Sequence, residues 1–241
     1  MKLELHFHPK GGSNCADGDN LLAVKKYAEL GYNAIVATTH YDINYYMTYP
    51  GVSHKDKVDY FFKVYDEFEK VANDYGLKTF LGTEIRCIPT RTEYMLLGFD
   101  RQFLYDNVPL FLYSQQGLFE LAEKHGFLMY QTHPFRTNVV AGLSEFMHGA
   151  ESFNGHYHHQ NNNDLAKEFC DNNGLISLSG TDYHHDDQPI TSGVLVPDDI
   201  ENEKQLAKCI LEKNFTLINE ENKYLTAYQN HLDLKAKMQR K

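Results

Sequence analysis

Short apolar segments alternate with amphipathic ones along most of the chain. Residues 33–39 (NAIVATT) form a continuous apolar run, which is typical of a strand buried on both faces of a parallel sheet. Between residues 58 and 75 the apolar side chains recur with helical spacing, and Gly76 follows as a helix end. The same criteria predict further strands over residues 2–8, 79–85, 94–99, 127–132, 149–154 and 175–180.

Helices are predicted between these strands and at the end of the chain. Asp19 has the character of an N-cap for a helix that reaches Leu30. Two more helices, around residues 118–122 and 165–169, are each followed by a glycine, and residues 223–241 form a peripheral C-terminal helix. Seven strands joined by helices or long loops predict an α/β fold with a parallel barrel, in a single domain of residues 1–241.

The charge and cysteine content exclude some classes of function. Lys and Arg number 23 against 33 Asp and Glu, for a formal net charge of −10. This charge argues against an extended nucleic-acid surface, which requires clustered positive side chains. The four cysteines show no CxxC pairing, no apolar stretch approaches the ~20 residues of a membrane helix, and no signal peptide is recognised. We therefore expect a cytoplasmic protein with reduced thiols and no membrane partner.

Imidazole and carboxylate side chains stand where the predicted strands end. The endings read HFH, TTH, TEI, THP and TDYHH, and in a barrel the C-terminal ends of the strands carry the catalytic groups. One such residue could simply cap a carbonyl, but five strands with the same ending favour a shared site. In the HFH string the two histidines point to one face of a strand. The candidate metal ligands are His6, His8, Asp17, His40, Glu84, His133, Asp182 and His184.

The number and type of these ligands predict more than one cation. A single metal rarely takes more than four to six protein ligands, so eight candidates indicate two or three divalent ions. Imidazole nitrogen and carboxylate oxygen suit zinc, manganese or iron. The three carboxylates among the candidates supply only three negative charges. A dianionic phosphate ester would help to balance such a cluster.

The ordered motifs resemble those of the polymerase and histidinol phosphatase (PHP) superfamily. The string LHFHPKGGSNCADGDNLLAVKKYAELGYNAIVATTH is similar to the first two motifs of that family, and GTE, THP and GTDYHH are similar to later ones. The resemblance covers roughly residues 3–196. It implies a distorted (β/α)7, TIM-like barrel with a di- or trinuclear metal centre and phosphoesterase chemistry.

The resemblance also implies how the ligands divide among the metals. Carried over residue by residue, it implies that the first metal site is formed by His6, His8, Glu84 and Asp182. The second site would be formed by Glu84 and His133. The third would be formed by Asp17, His40 and His184. Met95 stands where the family often has a histidine, which leaves the second site short of one ligand. The second strand ends in Thr38-Thr39-His40 instead of the common Thr-Asp-His, so the ligand is kept and a nearby carboxylate is lost.

Other side chains near the strand ends are candidates for binding the substrate. Arg136 follows the THP motif and could bind a phosphate with two hydrogen bonds, or else form a surface salt bridge. His156 belongs to a His-rich segment that could reach the substrate or lie in solvent. His185 beside His184 is a candidate for orienting that ligand or for transferring a proton, and Cys15 and Cys87 are expected to be inert thiols. The substrate-binding set is Arg136, Arg86, Lys10 and His156.

Together these patterns predict a metal-dependent hydrolase. The expected activity is hydrolysis of a small phosphomonoester or nucleotide-like substrate through a metal-bridging hydroxide, with Glu84, Asp182, His184 and Arg136 as catalytic residues. An amidohydrolase-like C–N hydrolase is an alternative, because its barrel also begins with an HxH strand. It usually has a bridging lysine and a lone aspartate on the last metal strand, where this chain has Glu84 and an Asp-x-His pair. A non-catalytic metal-binding scaffold is a further alternative, which Met95 supports.

Overall fold

The structure is a computed structural model that describes residues 1–13, 15–88 and 90–239. Within these ranges the chain forms one nine-stranded sheet and eight α-helices. The strands are β1 (Lys2–Phe7), β2 (Ala34–Tyr41), β3 (Lys78–Arg86), β4 (Glu93–Leu97), β5 (Leu128–Gln131), β6 (Gly149–Asn154), β7 (Ile176–Gly180), β8 (Ser192–Leu195) and β9 (Thr216–Asn219). The helices are α1 (Asn20–Glu29), α2 (Ile43–Thr48), α3 (His54–Asp74), α4 (Arg101–Asp106), α5 (Gln115–His125), α6 (Asn163–Asn173), α7 (Glu203–Leu211) and α8 (Glu221–Gln239).

Strands β1 to β7 form a nearly closed barrel. Neighbouring strands follow the chain order, and β1, β2 and β3 are parallel, as are β5, β6 and β7. The barrel closes between its first and last strands through a parallel bridge from Phe7 to Tyr183. Strands β8 and β9 continue the sheet beyond β1 in antiparallel pairing. The prediction of a distorted, TIM-like α/β barrel is confirmed.

One strand departs from the predicted parallel arrangement. Strand β4 is antiparallel to both β3 and β5. Residues 87–92 alone connect β3 to β4, whereas a parallel crossover needs about a dozen residues or more. Strand β4 therefore begins at the end of the barrel where the parallel strands finish.

Local capping sets the helix boundaries. Asp19 is the N-cap of α1, as predicted, and its carboxylate accepts from the backbone N–H groups of Leu21 and Leu22. Helix α5 ends at Gly126, whose φ of 70° is in the left-handed region. The C-terminal helix is described from Glu221 to Gln239, so the end of the predicted 223–241 range lies outside the described residues.

The sequence prediction lacked α2, α4, α7, β8 and β9. Among the described helices, none is both long and apolar enough to cross a bilayer.

A bulge in β1 directs its histidines into the barrel. Leu3 and Leu5 belong to the apolar cluster that includes Val36 and Leu178. The pairing of β1 with β2 slips by one residue between Glu4 and Phe7, which reverses the alternation of faces. His6 therefore joins the interior, and Phe7 packs on the opposite face in the cluster beneath the helices. The bulge places polar ligands directly above an apolar barrel core.

Candidate metal centre

Seven of the eight predicted ligands meet at one end of the barrel. Each of these seven residues is at most 6% exposed, so together they form a buried polar cluster. Five of them line a cavity of about 520 Å³ that opens from the cluster towards solvent. The seven residues are His6, His8, His40, Glu84, His133, Asp182 and His184.

The first group of ligand atoms has the spacing of a coordination shell. The Nε2 atoms of His6 and His8 lie 2.9 Å apart, and Asp182 Oδ1 lies 3.3 Å from each of them. Glu84 Oε1 lies 3.5 Å from His6 Nε2, and Glu84 Oε2 lies 3.5 Å from His8 Nε2. Ligands about 2.0–2.2 Å from a tetrahedral zinc are separated by about 3.4 Å, so these four side chains fit a cation at their centre.

A carboxylate on the far side of the ring fixes the orientation of His6. His6 Nδ1 lies 2.7 Å from Glu151 Oε1, and Glu151 Oε2 accepts from the backbone N–H of His133 at 2.9 Å. A neutral imidazole that donates from Nδ1 keeps its lone pair at Nε2, which is the atom facing the cluster. Glu151 sits at a second bulge, between β6 and β7. In the sequence, the feature that could have identified Glu151 is its position as a charged residue inside a predicted strand.

Glu93 joins the second group, although the sequence prediction did not include it. His133 Nε2 lies 3.2 Å from Glu84 Oε1 and 3.5 Å from Glu93 Oε2. Glu93 is 6% exposed, and Arg86 binds its other oxygen, Oε1. Met95, the position where a histidine was expected, packs in the apolar barrel interior instead. Because β4 is reversed, its first residue reaches the cluster and its middle does not.

Asp17 does not join the cluster, contrary to the prediction. Its side chain is 78% exposed and accepts a hydrogen bond from His185 Nδ1 at 2.7 Å. The physical reason lies in the backbone, because the N–H groups of Asp17 and Gly18 donate to the His184 carbonyl at 3.1 and 2.9 Å. These bonds hold the carboxylate outside the cavity. Cys15 reaches inside instead, with Sγ 3.3 Å from His40 Nε2.

Two of the predicted ligands have unusual backbone conformations. His133 has a φ of 32° and Asp182 a φ of 52°, both in the left-handed region that non-glycine residues seldom adopt. Such conformations cost about 1–3 kcal/mol each and concentrate at functional sites. Gly180 is required nearby, because a Cβ atom there would lie 2.4 Å from His6 Cβ and 2.7 Å from Glu151 Oε1.

The predicted substrate-binding residues have different environments. Arg136 donates to Asp182 Oδ2, Asn154 Oδ1 and Asn161 Oδ1 through Nε and Nη2, so it orients a ligand as well as lining the cavity. Within the described residues its Nη1 group makes no hydrogen bond. Arg86 and His156 also line the cavity. Lys10 is exposed and does not line it.

The carboxylates of the cluster favour positive charge on the imidazoles beside them. Burial lowers the pKa of His6, but Asp182, Glu151 and Glu84 together raise that pKa well above its usual value. Burial likewise opposes charge on His184, yet Asp182 raises its pKa to about 10.

The two acids respond in the opposite sense. Burial raises the pKa of Glu84 and of Asp182, but the neighbouring imidazoles, together with Arg136 in the case of Asp182, hold both pKa values well below the usual range. The cluster thus concentrates negative charge that requires a positive counterpart.

Histidines and one lysine form the outer wall of the cavity. His156 lies 4.9 Å from His184 between ring centroids, and His158 stacks at 4.3 Å on His231 of α8. Burial, with further contributions from His231 and His185, lowers the pKa of His158 to about 4, so its ring stays neutral near pH 7. Lys235 of α8 also lines the cavity. The entrance therefore combines neutral imidazoles with a few cations.

A family model and several solved structures match the chain. The model described as the PHP domain matches residues 4–228. A two-domain protein from Bacteroides vulgatus, described as containing a predicted PHP-like metal-dependent phosphoesterase, is 17% identical, with a TM-score of 0.61 over 96% of this chain and 69% of that one. PsfC from Pseudomonas syringae is 13% identical, with a TM-score of 0.63 over 96% of this chain and 98% of PsfC.

A third neighbour has a different description. An amidohydrolase from Chromobacterium violaceum is 12% identical, with a TM-score of 0.51 over 90% of this chain and 98% of that one. At such identities the structural likeness concerns the fold alone. No curated protein sequence matches the chain.

Proposed function

Because the chain belongs to the PHP domain family, we propose that it is a metal-dependent hydrolase of a small phosphomonoester or nucleotide-like substrate. The observation that carries this proposal is the facing pair of Nε2 atoms of His6 and His8, with Asp182 Oδ1 at 3.3 Å from both. Two lone pairs and a carboxylate oxygen are directed at one buried point. A divalent cation at that point satisfies all three atoms.

The residues divide into overlapping sets of ligands. His6, His8, Glu84 and Asp182 would hold one cation, and Glu84, His133 and Glu93 a second. Zinc, manganese or iron suits these nitrogen and oxygen donors. When bound, the cations would act as Lewis acids and supply a nucleophile from water near neutral pH. Glu84 belongs to both sets, since its two oxygens lie near different imidazoles.

The cavity lining supports an anionic substrate. Arg136 lines the cavity and, within the described residues, keeps its Nη1 group unpaired, while Arg86 and Lys235 add positive charge at the cavity wall. A guanidinium can bind two oxygens of a phosphate, whereas the neutral rings of the outer wall add shape without charge. We assign Arg136 a double role, in which Nη2 orients Asp182 and Nη1 binds a phosphoryl oxygen.

A C–N hydrolase is the competing function, because one neighbour of similar fold is an amidohydrolase. The bridging position of this chain holds the Glu84 carboxylate. Among the described residues the buried lysine is Lys57, whose Nζ donates to the Tyr49 carbonyl and does not line the cavity. A carboxylate bridge therefore favours the phosphoesterase.

The test is a substrate panel on the purified chain after chelation and reloading with Zn²⁺, Mn²⁺ or Fe²⁺. The panel contains aryl phosphate, nucleoside monophosphates, sugar phosphates and cyclic amides. We expect phosphomonoester hydrolysis that the chelator abolishes. His8→Ala should reduce the rate of phosphomonoester hydrolysis by more than about 100-fold. Loss of a side chain that only orients a metal ligand already costs about 10- to 100-fold, and loss of the ligand itself should cost more.

His125→Ala is the matched control, because His125 is exposed on α5 and does not line the cavity. It should retain full activity and full metal content. Turnover confined to the cyclic amides would establish the competing function. Metal binding without any turnover across the panel would favour the scaffold, and full activity of His8→Ala would refute the assigned centre.

A further inference from the structure

A cysteine thiol lies against the imidazoles at one side of the cluster. Cys15 Sγ is 3.3 Å from His40 Nε2, and it also contacts the Ser13 and Tyr45 hydroxyls at 3.0 and 3.5 Å. Zinc–sulfur and zinc–nitrogen bonds of about 2.3 and 2.05 Å place the two ligands about 3.6 Å apart in a tetrahedral site. The observed separation is close to that value.

The three imidazoles beside this thiol have the arrangement of a ligand set. His8, His40 and His184 each offer one nitrogen, and these atoms lie within 4.8 Å of one another. The ring of His8 lies between the other two, with centroids 4.4 Å from His40 and 4.2 Å from His184. His8 is 3% exposed, and within the described residues its Nδ1 has no hydrogen-bond partner. This group of three buried imidazoles indicates a cation site independently of the thiol.

The hydrogen bond that His184 makes through Nδ1 leaves its Nε2 atom for metal coordination. His184 Nδ1 is 2.9 Å from the Asp182 carbonyl oxygen, to which it donates. The lone pair of the neutral ring is then at Nε2. The loop that carries Cys15 is held in place by backbone hydrogen bonds from Asp17 and Gly18 to the His184 carbonyl. The same bonds turn the Asp17 carboxylate outwards, so the thiol takes the place expected for that acid.

We propose that Cys15 is a thiolate ligand to a further divalent cation, held together with His40 and His184. This inference rests on the proposed function, since it concerns the same metal centre. Binding releases the thiol proton to solvent as the metal–sulfur bond forms. A thiolate is a soft ligand, so this position should select zinc, iron or cobalt over magnesium. The centre would then differ from one built of nitrogen and oxygen donors alone.

Cobalt substitution tests the inference through the absorption spectrum of the chain of residues 1–241. Co²⁺ added to chelated protein should produce a thiolate-to-cobalt charge-transfer band in the near ultraviolet. Cys15→Ser should lose this band and about one equivalent of bound cobalt. Cys209→Ser is the matched control, because Cys209 lies on α7 with its Sγ bonded to the Asn214 carbonyl.

The outcomes separate the inference from the proposed function. Cobalt bound by the native chain without a charge-transfer band would overturn the role of Cys15 and leave the metal-dependent function intact. A charge-transfer band that survives in Cys15→Ser would also overturn the role of Cys15 and leave the metal-dependent function intact. No cobalt bound at all by the native chain would instead contradict the proposed function itself.

Discussion

Single carboxylates behind the imidazoles decide which nitrogen faces the cluster. Glu151 binds the Nδ1 side of His6 and the backbone N–H of His133, and Asn154 donates to it as well. One buried acid thus positions two of the candidate ligands. Asp182 is positioned in a similar way by Arg136 and Asn154. Removal of these partners should therefore affect metal affinity without removing a ligand.

Glu151→Gln should weaken metal binding by about 10- to 100-fold. Glutamine has a single acceptor oxygen, so either His6 Nδ1–H or the His133 N–H would face an amide NH₂ group. Competition with a chromophoric chelator measures the change in Kd. Glu123→Gln is the matched control, because Glu123 binds His148 Nε2 at 2.6 Å outside the cavity. Equal affinities in both variants would contradict the role of Glu151.

The Glu4 carboxyl should make the stability of the metal-free protein depend on pH. Burial raises the pKa of Glu4 from 4.5 to about 7. The protonated form stabilises the fold fully below about pH 4.5, and this contribution is lost as the pH rises through 7. The loss corresponds to about 3 kcal/mol at pH values above 7.

Comparison with Glu4→Gln isolates this contribution. Glutamine can keep the hydrogen bonds from the backbone N–H groups of His6 and Thr181 to Oε1. The free energy of unfolding of the native chain, measured in urea with chelator, should fall relative to the variant between about pH 4.5 and 7. Parallel pH profiles would show that Glu4 is not buried with a raised pKa.

At the scale of elements, the direction of a strand decides which of its residues reaches the centre. The apolar runs and glycines of the sequence were enough to predict β1 to β7 and the larger helices. The reversal of β4 depends on the short connection after β3, and the prediction considered only the C-terminal ends of strands. Glu93 was missed for this reason.

Loops are the second element that the sequence could not predict. Cys15 and Asp17 lie in the same segment after β1, and no periodicity there indicates which side chain points inwards. The choice depends on hydrogen bonds to the His184 carbonyl, which belongs to a distant part of the chain. The bulges of β1 and β6 also depend on long-range pairing. These features required the folded structure.

Glu93→Gln should reduce the affinity of the cation held by Glu84, His133 and Glu93 by at least about 10-fold. The change keeps the size of the side chain and the acceptor for Arg86, but it removes the charge near His133. Elemental analysis after equilibrium dialysis at limiting free metal measures the bound equivalents. Glu67→Gln on α3, whose side chain is 64% exposed, should match the native chain. Unchanged metal content in Glu93→Gln would exclude the residue as a ligand.

At the scale of the whole molecule, the centre joins the first and the last strands of the barrel. His6 and His8 belong to the β1 end, whereas Asp182 and His184 follow β7. Backbone contact across this seam consists of the Phe7–Tyr183 bridge and the hydrogen bonds around it. A cation that binds both sides should therefore stabilise the barrel as a unit.

Metal removal should lower the Tm of the protein. One cation at 100 times its Kd adds about 2.7 kcal/mol to the free energy of unfolding. For a chain of this size that is a shift of about 5–11 °C. Calorimetry of chelated and zinc-loaded protein measures the shift, and His8→Ala should show a smaller one. An identical Tm with and without zinc would contradict a buried cation across the seam.

The distance along the chain between the two sides of this seam has a consequence for biosynthesis. A nascent chain that has emerged only as far as β6 already carries His6 and His8 but still lacks Asp182 and His184. Its histidines then offer an incomplete shell that would hold a cation weakly. Under the proposed function, tight metal acquisition is thus a late event that follows translation of the final barrel strand, and a ribosome-stalled fragment should remain apo.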